Sequence, residues 1–212
     1  MAKILVIGGS LGGLFAANIL LRQGHDVTLL EKAIGSLDGR GAGIVTHDAL
    51  ADALRDAGIA VDASLGVAVS KRVTLGIDGE SLGEMSLPQI LTSWSRLYHL
   101  LKENFPTERY LQGKNVKTVS QDSNSVQVTC EDGSTYQAEL LIASDGIRSA
   151  VRAHVAPNIQ PEYAGYIAWR GVCDESHLSN YTLDTLFNYF GFCLPNGEQM
   201  LGYPVAGPGN DT

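Results

Sequence analysis

A run of glycines near the start of the chain has the spacing of a loop that wraps a phosphate group. Gly8, Gly9, Gly12 and Gly13 surround Ser10 in the segment GGSLGG. Glycine lets a chain leave a strand tightly and lets a helix lie close to a sheet, and the free N–H groups at a helix start attract a pyrophosphate. Ser10 stands where the usual pattern has its middle glycine, and serine is small enough to keep the approach of a phosphate open. These residue types predict pyrophosphate binding.

The segments around the glycines predict the elements that would hold them. Residues 4–7 form an apolar run typical of a strand, residues 14–21 have helical apolar spacing, and residues 27–30 predict a second strand. Glu31 follows Gly13 by 18 residues, close to the ~20 expected for a carboxylate that accepts a hydrogen bond from a ribose hydroxyl. The first 32 residues therefore predict a βαβ nucleotide-binding unit.

A second turn with polar side chains follows an apolar run in the middle of the chain. Residues 140–143 (LLIA) predict a buried parallel strand, and the pair Asp145-Gly146 then leads into a helix beginning at Ser149. The carboxyl ends of parallel strands meet at one edge of a sheet. We therefore expect this turn and the glycine turn to face the same ligand, an arrangement that a plain NAD-dependent dehydrogenase does not explain.

One arginine is a candidate for holding a phosphate or a ribose, and a second lies in a predicted helix whose core packing does not explain it. Arg40 is the charged residue of a glycine-rich loop, and Arg96 lies in the first turns of an amphipathic helix predicted over residues 93–105. For Arg40 the alternative is a solvated surface position. His47 precedes a helix predicted over residues 48–57 and is interpreted as a surface residue or a cap, with Asp48 as the N-cap.

The remaining segments predict mostly β-structure. Period-two patterns and turn residues predict short strands over residues 67–87, with turns at Asp78-Gly79 and at Gly83. Two further groups of strands are predicted, namely a β-meander (116–119, 126–130 and 135–138) and three aromatic-rich strands (163–172, 186–193 and 199–205).

Composition excludes several classes of protein. The 212 residues are 44% hydrophobic and carry a net charge of −8, so nucleic acid is excluded as the main partner because the chain lacks a basic stripe. The longest apolar runs are too short to cross a membrane. Three scattered cysteines (Cys130, Cys173 and Cys193) predict a reducing cytoplasm and no metal site, and each is expected to be a buried small apolar residue.

Three motifs together resemble the class A FAD-dependent aromatic hydroxylases, the group of para-hydroxybenzoate hydroxylase. The motifs are GGSLGG with Glu31, RGAGI at residues 40–44, and DGIRSAVR at residues 145–152. The stretches RGAGIVTHDAL and YAGYIAWRGV are most similar to the 2,6-dihydroxypyridine hydroxylase branch. The family's later Gly-Asp motif is not found in this sequence, so the resemblance covers the N-terminal part and a full match is expected to be longer.

The resemblance implies an α/β fold, a Rossmann-like FAD-binding domain of the GR2 type with a β-meander, plus the start of an antiparallel-sheet substrate domain. The implied boundaries give residues 1–66 and 93–160 to the FAD-binding domain. They give residues 67–92 and 161–212 to the substrate domain.

The resemblance also implies a reaction, the hydroxylation of an aromatic or heteroaromatic ring with NAD(P)H and O2 through a flavin C4a-hydroperoxide. A homodimer is the assembly expected for such an enzyme. The alternatives are another FAD-dependent oxidoreductase of the same fold and a non-catalytic nucleotide-binding module. No catalytic acid, base or nucleophile is assigned. The cofactor-binding residues implied are Gly8, Ser10, Leu11, Gly12, Gly13, Glu31, Lys32, Arg40, Gly43, Ile44, Val45, Arg96, Val116, Asp145 and Gly146. Arg170 and Tyr203 are the candidate substrate residues, and the alternatives are a sheet-surface charge for Arg170 and a core residue with one satisfied hydroxyl for Tyr203.

Overall fold

The computed structural model describes residues 1–37 and 43–207. The chain divides into two compact units. The first unit contains residues 1–39, 52–60 and 98–168, and the second contains residues 40–51, 61–97 and 169–212. The predicted assignment of residues 67–92 and 161–212 to a substrate domain stays a prediction.

Five helices and twelve strands are present in the described part of the chain. In chain order they are β1 (Lys3–Ile7), α1 (Leu11–Arg22), β2 (Asp26–Leu30), β3 (Gly43–Val45), α2 (Asp48–Asp56), β4 (Val67–Leu75), β5 (Ser81–Ser93), α3 (Trp94–Asn104), β6 (Tyr110–Leu111), β7 (Val116–Gln121), β8 (Val126–Cys130), β9 (Thr135–Ala138), β10 (Leu140–Ala143), α4 (Ala150–Val155), α5 (Asn180–Thr185), β11 (Phe190–Cys193) and β12 (Met200–Gly202).

The first unit is built on a four-stranded parallel sheet with the order β10-β1-β2-β6. Ile7 at the end of β1 pairs with Leu30 at the end of β2 and with Ala143 at the end of β10. The carboxyl ends of these three strands therefore lie side by side, and the turns that follow β1 and β10 are neighbours. The predicted α/β Rossmann-like fold is confirmed.

Strand β10 is less buried than its sequence predicts. Leu140 is 49% exposed, and Leu141 and Ile142 are half-buried. Within residues 1–37 and 43–207, β10 pairs with β1 on one side and with no strand on the other. The prediction of a fully buried strand was wrong because an apolar run does not reveal whether a strand lies at the edge of its sheet.

The β-meander forms a separate three-stranded antiparallel sheet, β7-β8-β9. Inward-facing residues of this sheet, among them Val128 and Cys130, pack with Leu5 and Leu30 of the parallel sheet in one core. The predicted meander is confirmed, and alternation of apolar and polar residues is its cause.

The second unit contains a five-stranded sheet with the order β12-β11-β4-β5-β3. Strands β4 and β5 form a hairpin whose predicted turn at Asp78-Gly79 is confirmed, since Gly79 has a φ of 81°. The predicted turn at Gly83 was wrong, because Gly83 pairs with Thr74 inside the hairpin. Glycine is compatible with extended backbone, so its presence alone does not require a turn.

The aromatic segments are shorter as strands than predicted. Residues 163–172 form no strand, and Trp169 is 91% exposed. Of residues 186–193 only Phe190–Cys193 form a strand, because α5 and a turn precede it. Of residues 199–205 only Met200–Gly202 form one. Aromatic and β-branched residues favour strands only where a neighbouring strand supplies hydrogen-bond partners.

Two smaller expectations also need correction. Helix α2 begins at Asp48 itself, and the His47 Nδ1 atom accepts the Leu50 N–H at 3.2 Å, so His47 and not Asp48 is the cap. Cys130 is buried and Cys193 half-buried, but Cys173 is exposed, so its expected burial was wrong. All three thiols are free, and no described helix is long and apolar enough to cross a membrane.

Candidate functional site

The glycine turn after β1 is closed by close contact with the helix that follows it. Gly8 has a φ of 101°, which favours glycine. A Cβ atom on Gly13 would lie 1.8 Å from the Gly8 carbonyl oxygen. Any larger side chain at Gly13 would force the first turn of α1 away from the strand end, so this glycine lets the helix start lie against β1.

Ser144, at the end of β10, connects the glycine turn to the turn in the middle of the chain. Its Oγ donates to the Ile7 carbonyl at 3.0 Å and to the Gly8 carbonyl at 3.2 Å. A Cβ atom on Gly8 would lie 2.4 Å from the Ser144 carbonyl oxygen. The backbones of the two turns are therefore in contact, and the expectation that both turns face one ligand stays a prediction.

Glu31 fastens the glycine turn from the other side. Its Oε2 accepts the Gly9 N–H at 2.7 Å and its Oε1 accepts the Ala33 N–H at 2.7 Å. The residue is 5% exposed, so both carboxylate oxygens are engaged by backbone amides inside the protein. A carboxylate oxygen has a second lone pair, which leaves the predicted bond to a ribose hydroxyl compatible with this arrangement.

Tyr110, on β6, holds the carbonyl side of the same turn. Its hydroxyl donates to the Gly9 carbonyl at 3.0 Å, and a Cβ atom on Gly9 would lie 2.2 Å from that hydroxyl oxygen. Burial raises the pKa of Tyr110 above its ordinary value, and Tyr98 and Glu31 raise it further. The phenol therefore stays protonated and keeps donating to Gly9. This residue was not found from the sequence, since no local pattern marks it.

The first turn of α1 is open to a ligand. The Ser10 side chain makes no capping hydrogen bond, and a Cβ atom on Gly12 would meet a single atom within 4 Å, the Ser144 Cβ at 3.9 Å. Leu11 is half-buried and Gly12 is exposed. An uncapped helix start with an open glycine beside it fits the pyrophosphate of a dinucleotide.

The Asp145-Gly146 turn is organised by its own residues. The Asp145 Oδ2 accepts the Ala150 N–H at 2.8 Å and the Val151 N–H at 3.3 Å, and the Ser149 Oγ accepts the Arg152 N–H at 2.8 Å. The Asp145 carboxylate therefore caps α4, while its backbone borders Gly8. A cavity of about 300 Å³ lies beside this turn.

The other predicted cofactor residues of the first unit lie on different elements. Lys32 is exposed directly after Glu31. Val116 is buried at the start of β7, where its side chain belongs to the core and its backbone carries the predicted contact with an adenine. Both roles stay predictions.

In the second unit, the structure brings some of the predicted residues together. A Cβ atom on Gly43 would lie 2.1 Å from the Tyr203 ring, and Val45 and Tyr203 both pack on the core cluster of Val69, Leu91 and Phe190. Ile44 lies between Gly43 and Val45 on β3.

The predicted arginines are distributed differently. The Arg96 Nε and Nη2 atoms donate to the Ser64 carbonyl at 3.2 and 3.0 Å. Arg170 is exposed, and burial raises the pKa of Tyr203 while Arg170 lowers it. Arg40 lies outside the described residues. Within residues 1–37 and 43–207, no group of histidine, cysteine and carboxylate side chains has the geometry of a metal site.

Comparison with known proteins gives matches over nearly the whole chain. The model of a family described as an FAD binding domain matches residues 1–202. The 2,6-dihydroxypyridine 3-monooxygenase of Paenarthrobacter nicotinovorans is 34% identical over 212 residues, which is 98% of this chain and 52% of that protein. This chain therefore spans about half the length of that relative.

Solved structures agree with this match. The structure of 2,6-dihydroxypyridine-3-hydroxylase from Arthrobacter nicotinovorans has a TM-score of 0.89 at 34% identity, covering 97% of this chain and 52% of that one. Klebsiella pneumoniae HpxO, complexed with FAD and uric acid, has a TM-score of 0.78 at 25% identity, covering 95% and 53%. With the glycine turn, its open helix start and the neighbouring Asp-Gly turn, these matches show that the chain belongs to the FAD-binding-domain family.

Proposed function

We propose that the protein binds FAD and hydroxylates an aromatic or heteroaromatic ring with NAD(P)H and O2. The observation that carries the proposal is the contact between the two turns at the carboxyl edge of the parallel sheet, beside an uncapped helix start. The similarity to a 2,6-dihydroxypyridine 3-monooxygenase over 98% of the chain supports this reaction class.

The first unit would hold the adenosine diphosphate part of FAD. The free N–H groups of Leu11, Gly12 and Gly13 would donate to the pyrophosphate, where the partial positive charge of the helix start adds to the attraction. Glu31 would accept from the ribose while it keeps Gly9 in place. Ser10 offers a hydroxyl to the same phosphates, and its side chain is free of a capping bond.

The remaining residues of the proposed site come from the resemblance. Val116, Lys32, Asp145 and Gly146 complete the cofactor contacts in the first unit, and Gly43, Ile44, Val45, Arg40 and Arg96 supply those of the second. The redox chemistry, electron transfer from NAD(P)H and activation of O2, is supplied by FAD when it is bound.

Tyr203 and Arg170 are the residues proposed for the aromatic substrate. Tyr203 is half-buried against Phe190, with ring centroids 4.6 Å apart in an edge-to-face arrangement, so its hydroxyl is presented from a rigid apolar surface. Burial raises the pKa of that hydroxyl, and the positive charge of Arg170 partly opposes this rise. The free thiols support the prediction of a cytoplasmic enzyme, and a homodimer stays the predicted assembly.

The purified protein tests the proposal directly. We expect it to be yellow and to release FAD on denaturation, and we expect an aromatic compound to stimulate its oxidation of NAD(P)H. The screen should begin with 2,6-dihydroxypyridine. A colourless protein that takes up NAD and no FAD on titration would be a dehydrogenase and would contradict the proposal.

A further inference from the structure

Arg72 occupies an unusual position in the sheet of the second unit. It lies on β4, is half-buried, and places the centre of its guanidinium 5.4 Å from the Phe190 ring and 5.7 Å from the Phe192 ring. Its Nε and Nη2 atoms both donate to the Gln89 Oε1 at 3.1 Å. The planar group is thus fixed over an aromatic surface by a neutral amide.

The positive charge of Arg72 is not neutralised by a carboxylate among the described residues. The adjacent Lys71 shows the contrast, because its Nζ lies 2.6 Å from the Glu84 Oε2. A guanidinium is always charged and has five N–H donors, of which Gln89 engages two. The chain carries a net charge of −8, so most of its positive charges have carboxylates available. A half-buried guanidinium without a carboxylate partner can therefore bind an anionic ligand.

The surface beside Arg72 is the one that carries two predicted site residues. Phe190 pairs with Arg72 in register across β11 and β4, so both side chains lie on the same face of the sheet. Phe190 belongs to the core cluster on which Val45 and Tyr203 pack. Val45 is a predicted cofactor residue and Tyr203 a predicted substrate residue, so Arg72 borders the surface that these assignments share.

We propose that Arg72 binds the negatively charged oxygen of an aromatic substrate, with Gln89 holding the guanidinium in place and the rings of Phe190, Phe192 and Tyr203 forming the surface beside it. This inference rests on the proposed hydroxylase function. Ring hydroxylation is easier on an electron-rich ring, and a nearby cation stabilises the deprotonated form of a ring-bound hydroxyl. Arg72 would thereby select anionic rings over neutral ones.

Substrate binding by Arg72 is distinguishable from a purely structural role, in which the guanidinium would only stack on the two rings. The two roles differ in one measurable property, the preference of the protein for a charged ring over a neutral ring of the same shape. Stacking alone stabilises the sheet and leaves that preference unchanged when the charge is removed.

The test uses the FAD-bound protein and three probes, each followed by its perturbation of the flavin absorbance spectrum. The probes are 2,6-dihydroxypyridine, salicylate, and salicylamide as the neutral counterpart of salicylate. The wild type should bind at least one anionic probe more tightly than the neutral one. Arg72→Gln should weaken anion binding about 10- to 100-fold, the loss expected for a hydrogen bond to a charged group. Arg72→Lys should keep part of the affinity for anions, because lysine keeps the positive charge but lacks the paired, planar N–H donors of a guanidinium.

Lys71→Gln is the matched control, because it removes a neighbouring positive charge that is already paired, and it should change anion affinity less than twofold. Retention of FAD by each variant shows that the variant is folded. A wild type that holds FAD without preferring anionic rings, or an Arg72→Gln variant that keeps its affinity within twofold, overturns this inference and leaves FAD binding intact. A wild type that fails to bind FAD contradicts the proposed function itself.

Discussion

The two turns at the carboxyl edge of the parallel sheet are neighbours, but they are held in different ways. The glycine turn is fixed by residues far away in the sequence, namely Glu31, Tyr110 and Ser144. The turn at Asp145 is fixed by its own segment, through hydrogen bonds that the amides of α4 donate to Asp145 and Ser149. A turn with long-range anchors keeps its shape only while the sheet is folded, whereas a locally capped turn needs little beyond its own residues.

The largest effect should come from filling the space at Gly13. Gly13→Ala places a methyl group where the Gly8 carbonyl oxygen already lies, so we expect a loss of about 3 kcal/mol or more in the free energy of unfolding. FAD retention should be lost with it. Urea unfolding of the protein measures the first quantity and absorbance of the bound flavin the second.

Gly12→Ala is the matched control, one position earlier. The added methyl group meets only the Ser144 Cβ, at the ordinary contact distance of 3.9 Å, and alanine favours a helix over glycine, so the free energy of unfolding should not fall. The methyl group faces the proposed phosphate position, so FAD affinity should fall. If Gly12→Ala and Gly13→Ala lower the free energy of unfolding equally, the close approach of Gly13 to the Gly8 carbonyl does not limit the side chain at position 13.

A smaller loss is expected from Glu31→Gln, which keeps the shape of the side chain. The amide oxygen of the glutamine still accepts one of the two backbone N–H groups, of Gly9 or Ala33. Its NH2 group faces the other N–H, so one buried donor loses its acceptor. This should lower the free energy of unfolding by about 2 kcal/mol. Thermal or urea unfolding measures the change.

Glu139→Gln serves as the comparison, since Glu139 is exposed and accepts the Lys3 N–H with one oxygen. Its loss should stay below about 0.5 kcal/mol. If Glu31→Gln and Glu139→Gln lower the free energy of unfolding equally, the two hydrogen bonds accepted by Glu31 do not stabilise the protein more than the single one accepted by Glu139.

Tyr110→Phe removes one hydrogen bond and leaves the ring in place. The Gly9 carbonyl then has no phenol donor, which should cost about 1 kcal/mol of unfolding free energy and weaken FAD binding. Because burial raises the pKa of Tyr110, the same number of tyrosines should ionise near pH 11 in the variant and the wild type. Absorbance titration of the phenolates checks this.

Tyr189→Phe is the control for this substitution, because the Tyr189 hydroxyl has no hydrogen-bond partner among the described residues. We expect no change in FAD affinity. A loss of one titrating tyrosine in Tyr110→Phe would mean that the phenol is accessible and does not hold the glycine turn.

The smallest effect should come from the second turn. Asp145→Ala removes the acceptor of two N–H groups in the first turn of α4 and leaves the Ser149 cap in place, so we expect a loss of about 0.5–1 kcal/mol in the free energy of unfolding. Hydrogen exchange should become faster over residues 146–155 and stay unchanged over residues 9–14. Faster exchange at the glycine turn would refute the difference in anchoring between the two turns.

The sequence was sufficient for elements whose signal is local. The glycine turn, the meander and the helix that starts after Ser149 follow from glycine spacing, alternation and capping residues. Burial of β10 was mispredicted because it depends on which strands lie beside it. Residues 163–172 were mispredicted because aromatic composition favours a strand without supplying its partner.

The anchors of the site could not be found in the same way. Tyr110 and Gly9 are 101 positions apart, and β6, which carries the tyrosine, has two residues. Arg72 is equally inconspicuous, since the sequence does not show that, among the described residues, Lys71 is paired with a carboxylate and the adjacent Arg72 is not. Contacts of this kind become visible only when the strands are placed in register.

The bond from Tyr110 to Gly9 has a consequence for protein engineering. Residues 1–32 look like a transferable cassette, but a chimera built from them alone would receive the glycine turn without its phenol donor. A working graft would have to include the short strand that runs beside β2, so the smallest portable binding element is discontinuous in sequence.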